Sequence, residues 1–189
     1  MPERIIPFIQ NALDVFYRSW TADKSGVMRV VGVQVGWYDF SERIVTHVQK
    51  GSFDLVAPTS YFGFNEEAIH ALEEAGSSAD IALVEQLALD SIKSMGAEIQ
   101  NIANLCNSLG VEMVYYKGGH LLTPDPFGSE QEYGAVLVDI QHDPCMYEIY
   151  RKWLAELEKS RWTQTAIPRS VSYFPCLRAT VSDMSPLVY

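Results

Sequence analysis

One helical pattern constrains this chain more than any other feature. Between about residues 79 and 109, apolar side chains return at alternating steps of three and four residues, and polar side chains occupy the opposite face. The apolar positions, which we call the apolar seam, are Ile92, Met95, Ile99, Ile102, Cys106 and Leu109. This spacing predicts one long amphipathic helix. Because a period of about 3.5 residues suits close helix–helix packing, we expect the helix at about 79–109 either to lie at the centre of the core or to pair with a second copy in a homo-oligomer.

The remaining elements are predicted from hydrophobic periodicity and from turn and cap residues. Helices are expected over about 3–20, from Asn65 towards Gly76, and from Asp143 onwards. Strands are expected over 27–38, 43–49, 53–57, 111–116, 135–141 and 170–181, with the first two joined as a β-hairpin. Most of these strands follow one another in pairs and do not alternate with helices. The sequence therefore predicts an α+β fold, with a mixed or mainly antiparallel sheet packed against the long central helix and two or three shorter helices.

The length and charge of the chain limit its organisation and its partners. The 189 residues suit a single domain, 1–189, with a C-terminal tail over about 182–189. The net charge of −10 disfavours nucleic acids and anionic membranes, because both require a positive patch on the protein. No apolar run reaches the roughly 20 residues of a bilayer-spanning helix, and the three cysteines are widely spaced. We therefore expect a soluble, cytoplasmic protein whose partner is a small molecule or another protein.

The strongest candidate for catalysis is the stretch from Gln141 to Cys145. Asp143 and Pro144 predict the start of a helix, which would place Cys145 in the first helical turn. Helix N-termini lower thiol pKa values, so Cys145 is a candidate nucleophile with His142 as its base. In the opposing interpretation, Asp143 and Pro144 only cap the helix and Cys145 packs beneath them. Whether the chain is an enzyme is left open, with this pair as the alternative hypothesis.

A long loop over 118–131 offers the second candidate site. His120 and Asp125 in this loop could join His142 or Asp139 as metal ligands. However, the four histidines of the chain show neither HxH nor HxxxH spacing, so no metal site is predicted. His120 and Asp125 are instead candidate ligand-binding residues, which could also assist catalysis, and the sequence points to no particular cofactor.

Aromatic side chains near the predicted strand ends complete the set of candidate binding residues. Tyr115 and Trp37 have the apolar ring and polar tip that often line ligand cavities, although aromatic residues more often fill a core. The predicted strand over 27–38 also carries Gly32 and Gly36 on the face opposite its valines. No motif for catalysis, metal or nucleotide binding stands out. The leading hypothesis is therefore a non-catalytic domain that binds a small molecule or a protein in a regulatory or accessory role.

Overall fold

The computed structural model describes residues 2–19, 27–124 and 131–160. The helices in these ranges are α1 (Pro2–Ser19), α2 (Tyr38–His47), α3 (Glu66–Ala75), α4 (Ile81–Leu109), α5 (Gly134–Asp139) and α6 (Cys145–Lys159). The strands are β1 (Val30–Val33), β2 (Leu55–Phe62), β3 (Glu112–Met113) and β4 (Lys117–His120). Short 3-10 turns cover Gly76–Ser78 and Ile140–His142.

All strand pairs in the described part of the chain are parallel, and β2 lies at the centre of the sheet. β1 pairs with one side of β2, with Val30 opposite Leu55. β3 and β4 pair with the other side, β3 at the start of β2 and β4 from Thr59 onwards. Pro58, which has no N–H to donate, falls in the gap between these two ladders. Seven of the eight residues of β2 are buried, as is typical of a central strand in a parallel sheet.

The prediction of a mixed or mainly antiparallel sheet is wrong, because the predicted hairpin does not form. Residues 38–47, predicted to hold the turn and most of the return strand, are the helix α2. The buried residues of this region share a helical spacing, and they are Ser41, Ile44, Val45 and Val48. Ser41 conceals the pattern in the sequence because it is polar, but its hydroxyl donates to the backbone O of Gln34 at 2.9 Å. A helix between β1 and β2 makes a crossover connection, and such a connection joins parallel strands.

The predicted strand over 135–141 is also wrong. This stretch forms α5 and the 3-10 turn that follows it. Val136, Leu137 and Ile140 are buried, whereas Val138 is 48% exposed. Helical geometry produces this distribution and strand alternation does not. A short apolar run has too little periodicity to distinguish a buried strand from a buried helix.

The long helix predicted over about 79–109 is confirmed as α4. Asp80 caps it by accepting the N–H of Leu83 at 2.8 Å, and it ends at Gly110 in the left-handed conformation. Four seam residues are at most 2% exposed within the chain itself, namely Ile92, Ile99, Ile102 and Cys106. α4 also packs closely on α6, since a Cβ at Gly96 would lie 3.4 Å from the Cβ of Glu156. The apolar seam therefore belongs to the core of one chain, and the oligomeric state stays a prediction.

Two other helices begin where the sequence predicts them. The Asn65 side chain accepts the N–H of Ala68 at 2.9 Å and caps α3. At the start of α6, the Asp143 carboxylate accepts the N–H of Cys145 at 2.9 Å. α1 covers the helix predicted over about 3–20. Capping chemistry is local, which is why these starts can be located from sequence.

Two predicted elements lie outside the described residues. They are the strand over 170–181 and the C-terminal tail over about 182–189. The extent of the predicted single domain, 1–189, therefore stays a prediction. Among the residues that the structure does describe, no helix has the length and apolar character needed to cross a lipid bilayer.

Candidate functional site

The carboxyl ends of the parallel strands meet at one edge of the sheet. This carboxyl edge consists of residues 34–37 after β1, 62–65 at the end of β2 and 120–121 at the end of β4. In open α/β sheets, ligands often bind outside the carboxyl ends of the strands. Two of the residues predicted to bind a ligand, Trp37 and His120, lie at this edge.

One face of α4 holds the carboxyl edge in place. Three of its side chains, about one helical turn apart, each accept a backbone N–H from the edge: Ser91, Met95 and Glu98. Met95 Sδ accepts from Gly63 at 3.4 Å. Glu98 Oε2 accepts from Gly36 at 2.7 Å. These N–H groups lie beyond the strand ends, where the strand ladders do not satisfy them, so α4 fixes the connections that follow β1 and β2.

Trp37 presents an aromatic surface to solvent at the start of α2. Its side chain is 63% exposed. Gly36 before it has a φ of 96°, a left-handed conformation that favours glycine, and there the chain leaves β1 for α2. The Phe40 ring meets the indole edge-to-face, with centroids 6.3 Å apart. The carboxylates of Asp39, in the first turn of α2, and of Glu98 make the surroundings of this aromatic pair negative.

His120 lies at the other side of the carboxyl edge as the last residue of β4. Its ring packs against those of Phe62 and Tyr150, with centroid distances of 6.4 and 5.9 Å. Its Nδ1 is buried and has no hydrogen-bond partner among the described residues. Burial lowers the pKa of His120 below its usual value, because the charged imidazolium loses its hydration. His120 is therefore mainly neutral near pH 7 and suited to hydrogen bonding.

The structure does not bring Tyr115 to this edge. Tyr115 lies between β3 and β4, and its hydroxyl donates to the backbone O of Leu157 at 3.4 Å. That contact ties the strand connection to α6, a structural role. Asp125 lies outside the described residues.

Cys145, at the N-terminus of α6, has a raised pKa. The thiol lies in the first turn, as predicted, but burial together with the hydrogen bond and charge of Asp143 raises the pKa of Cys145 to about 12. The thiolate, which is the nucleophilic form, is therefore rare near pH 7. His142 is exposed in the preceding 3-10 turn, and no hydrogen bond joins it to Cys145 in the described part of the chain. The catalytic role of this pair stays a prediction.

Other features that could hold a ligand lie away from the carboxyl edge. A surface cleft of about 520 Å³ lies between the start of α4 and α5. Its lining includes the carboxylates of Asp80, Glu132 and Asp139, but neither Trp37 nor His120. Over residues 2–19, 27–124 and 131–160, no three His, Cys, Asp or Glu side chains come together to hold a metal ion.

The sequence interpretation missed the side chains of α4 that hold the carboxyl edge. Glu98 belongs to the polar face that is predicted opposite the apolar seam, and Met95 belongs to the seam itself. Their spacing identifies a shared helix face, but no signal in the sequence shows which loop meets that face. Phe40 is missed because 39–42 is predicted as a hairpin turn.

Comparison with known proteins adds no family to these observations. No protein-family model matches the chain, and neither a curated protein nor a solved structure matches it. The candidate site therefore rests on its geometry and chemistry.

Proposed function

We propose that this chain is a non-catalytic small-molecule-binding domain with a regulatory or accessory role, and that its ligand binds at the carboxyl edge against Trp37. One observation carries the proposal: an indole ring that is 63% exposed stands on the connection between β1 and α2. Covering such a ring stabilises a complex by about 25 cal/mol for each Å² of apolar surface removed from water. The position beyond the carboxyl end of a parallel strand supports a ligand site further.

The surroundings of Trp37 favour one class of ligand. The Trp37–Phe40 pair offers an apolar surface on which a planar ring can stack. The N–H of Gly36, the residue before Trp37, already donates to Glu98 Oε2 at 2.7 Å, so this N–H is not free to bind an anionic group. Asp39 adds a further carboxylate. We therefore propose a planar ligand that is uncharged or cationic, since a cation is also attracted to the indole face.

Native mass spectrometry of the full chain, purified without added cofactors, is the first test. The wild-type protein should retain a small molecule, and Trp37→Ala should lower the affinity by at least about tenfold, which corresponds to 1.4 kcal/mol. Phe8→Ala is the matched control, because Phe8 is an aromatic residue that is 75% exposed on α1. Equal retention by the two variants would refute the proposal.

A second measurement applies if the protein is purified without a bound ligand. Saturation-transfer NMR with adenine and nicotinamide as probes reports weak binding of planar, uncharged rings. The transfer signal should weaken in Trp37→Ala and persist in Phe8→Ala. Binding that does not depend on Trp37, or no binding of either probe at millimolar concentration, would count against a planar ligand at this edge.

Two other functions have less support. A protein partner could cover the same indole ring, and the mass of the species bound in the native spectrum separates it from a small molecule. An enzyme that uses Cys145 and His142, assisted by His120 and Asp125, would need a thiolate, which the pKa of about 12 for Cys145 disfavours. A homo-oligomer through the helix at about 79–109 would need a surface other than the buried apolar seam, and sedimentation at several concentrations tests it.

We also propose a cytoplasmic location without nucleic-acid or membrane partners. The net charge of −10 supports the absence of nucleic-acid and membrane partners, because phosphate groups repel an acidic surface. The free thiols of Cys106 and Cys145 support the cytoplasmic location, because reducing compartments preserve thiols. Cell fractionation followed by immunoblotting tests the location.

A further inference from the structure

On one side of the sheet, the described residues leave the edge strand β1 exposed. Side chains of β1 alternate, so that Val31 and Val33 enter the core at 1% and 5% exposure. Val30, Gly32 and Gln34 point the other way and are exposed, and we call this side of the sheet the outer face. Val30 is 45% exposed, although a valine in a strand favours a covered position.

Tyr116 extends the apolar part of the outer face. It follows β3, on the far side of β2, yet its hydroxyl lies 3.9 Å from where a Cβ of Gly32 would be. Its side chain therefore crosses Ala57, the β2 residue paired with Gly32, and it remains 59% exposed. Glu112 shares this face because it is paired with Leu55, and paired residues of a parallel ladder point the same way. The outer face thus combines exposed apolar groups with a carboxylate.

The described chain ends at the β3 side of the sheet, at the border of this surface. Tyr115, next to Tyr116, donates to the backbone O of Leu157 in the last turn of α6. The chain therefore leaves α6 next to the connection between β3 and β4, which carries Tyr116. From there to β1 is two strand spacings, roughly 10 Å, and an extended chain covers about 3.3 Å per residue. The segment 161–189 is long enough to cross the outer face several times over.

The composition of the segment 161–189 matches the outer face. Its larger apolar side chains include Trp162, Ile167, Tyr173, Phe174, Leu177 and Val181. Its charged side chains are Arg161, Arg169, Arg178 and Asp183, so the segment is basic in a chain whose net charge is −10. We propose that residues 161–189 dock on the outer face of their own chain, with apolar side chains against Val30 and Tyr116 and an arginine facing Glu112.

Site-specific photo-crosslinking in the full chain tests this docking. Val30→p-benzoylphenylalanine places a photoreactive group on the outer face, and irradiation should give a monomeric product whose cross-linked peptides come from 161–189. Ile69→p-benzoylphenylalanine is the matched control, because Ile69 is similarly exposed, at 40%, on α3. The control should give no cross-link to 161–189.

Two outcomes would overturn the proposal. Cross-links from position 30 to a second chain would show that another copy covers the outer face. The absence of any cross-linked peptide from 161–189 would show that the segment lies elsewhere. If circular dichroism shows that the variant at Val30 is unfolded, Tyr116→p-benzoylphenylalanine reports on the same face and is judged by the same outcomes.

Discussion

Gly118→Ala tests how closely β4 must approach β2. Gly118 is paired with Ser60. A Cβ at this position would collide with Ser60 Oγ and would lie only 2.6 Å from the Ser60 backbone O, whereas an ordinary contact is at least 3.4 Å. The Ser60 side chain can rotate away, but its carbonyl cannot. The two strands must therefore move apart by several tenths of an ångström.

The cost of that movement follows from what else holds Ser60. Its backbone O also accepts the Nε1–H of Trp153 at 2.9 Å, and Trp153 is only 2% exposed. Overpacking costs about 1–3 kcal/mol, and weakening a buried hydrogen bond adds about 1 kcal/mol. We expect Gly118→Ala to lower the free energy of unfolding by about 3 kcal/mol, a large part of the roughly 5–15 kcal/mol of a typical domain.

Gly32→Ala is the control for this experiment. Gly32 lies in a strand of the same sheet, but the nearest atom to an added Cβ is the Tyr116 hydroxyl, at 3.9 Å. Alanine in a permitted backbone conformation stabilises by about 0.4–1 kcal/mol, because the unfolded chain loses freedom. Urea unfolding followed by far-UV circular dichroism measures both variants. The reasoning fails if Gly118→Ala costs less than about 1 kcal/mol, or if both variants change stability in the same direction.

Three further predictions concern ionisable groups. Arg29 donates to both carboxylate oxygens of Asp54 and holds its pKa below the usual value; Asp54→Asn should cost about 1 kcal/mol of unfolding free energy near pH 7. That cost should shrink as the pH falls through the lowered pKa of Asp54, because the wild-type side chain then becomes uncharged like the asparagine. An equal loss of unfolding free energy at pH 7 and pH 3, measured by urea unfolding, would contradict the prediction. Cys145 should resist alkylation by iodoacetamide at pH 8, because its thiol pKa is raised. Asp143→Asn keeps a capping residue but removes the charge, so it should lower the pKa of Cys145 and speed alkylation several-fold, as measured by peptide mass mapping. An unchanged rate would show that Asp143 does not control the thiol. Burial lowers the pKa of His120, so wild-type stability should fall as the pH drops below about 6.5. His120→Phe cannot titrate and should gain stability relative to wild type between pH 8 and pH 5 in urea unfolding, whereas a constant difference would exclude this role for His120.

Short-range chemistry accounts for the parts of the fold that the sequence predicts correctly. The apolar seam of α4 spans several turns, so its period is unmistakable, and Asp80 and Gly110 bound the helix by local hydrogen bonding and backbone geometry. Asn65 marks the start of α3 in the same way. These signals need only neighbours within about four residues, and they hold whatever the rest of the chain does.

The parallel arrangement of the strands could not be predicted, because it depends on one short helix, α2. Ile44 and Val45 favour a strand by intrinsic propensity, and Ser41 interrupts the apolar face of α2 with a polar residue. Burial of Ile44 and Val45 against the core and the bond from Ser41 to the Gln34 carbonyl outweigh that propensity. Once α2 forms, β1 and β2 become parallel.

The candidate site was predicted only as separate residues. Aromatic chemistry singles out Trp37 and the loop singles out His120, but only the parallel arrangement of the strands brings them to one edge. The same chemistry singles out Tyr115, whose hydroxyl bonds to α6. Residue type therefore indicates what a side chain can do, while the fold decides whether it meets a ligand.

The sequence by itself determined where the long helices of this protein run, because periodicity and capping are encoded among residues a few positions apart. Only the tertiary structure decided that the strands are parallel, that the apolar seam is core and that Glu98 binds the N–H of Gly36, which is 62 residues away in the chain. Such contacts depend on which distant segments share a core, and burial in that core can override local propensity.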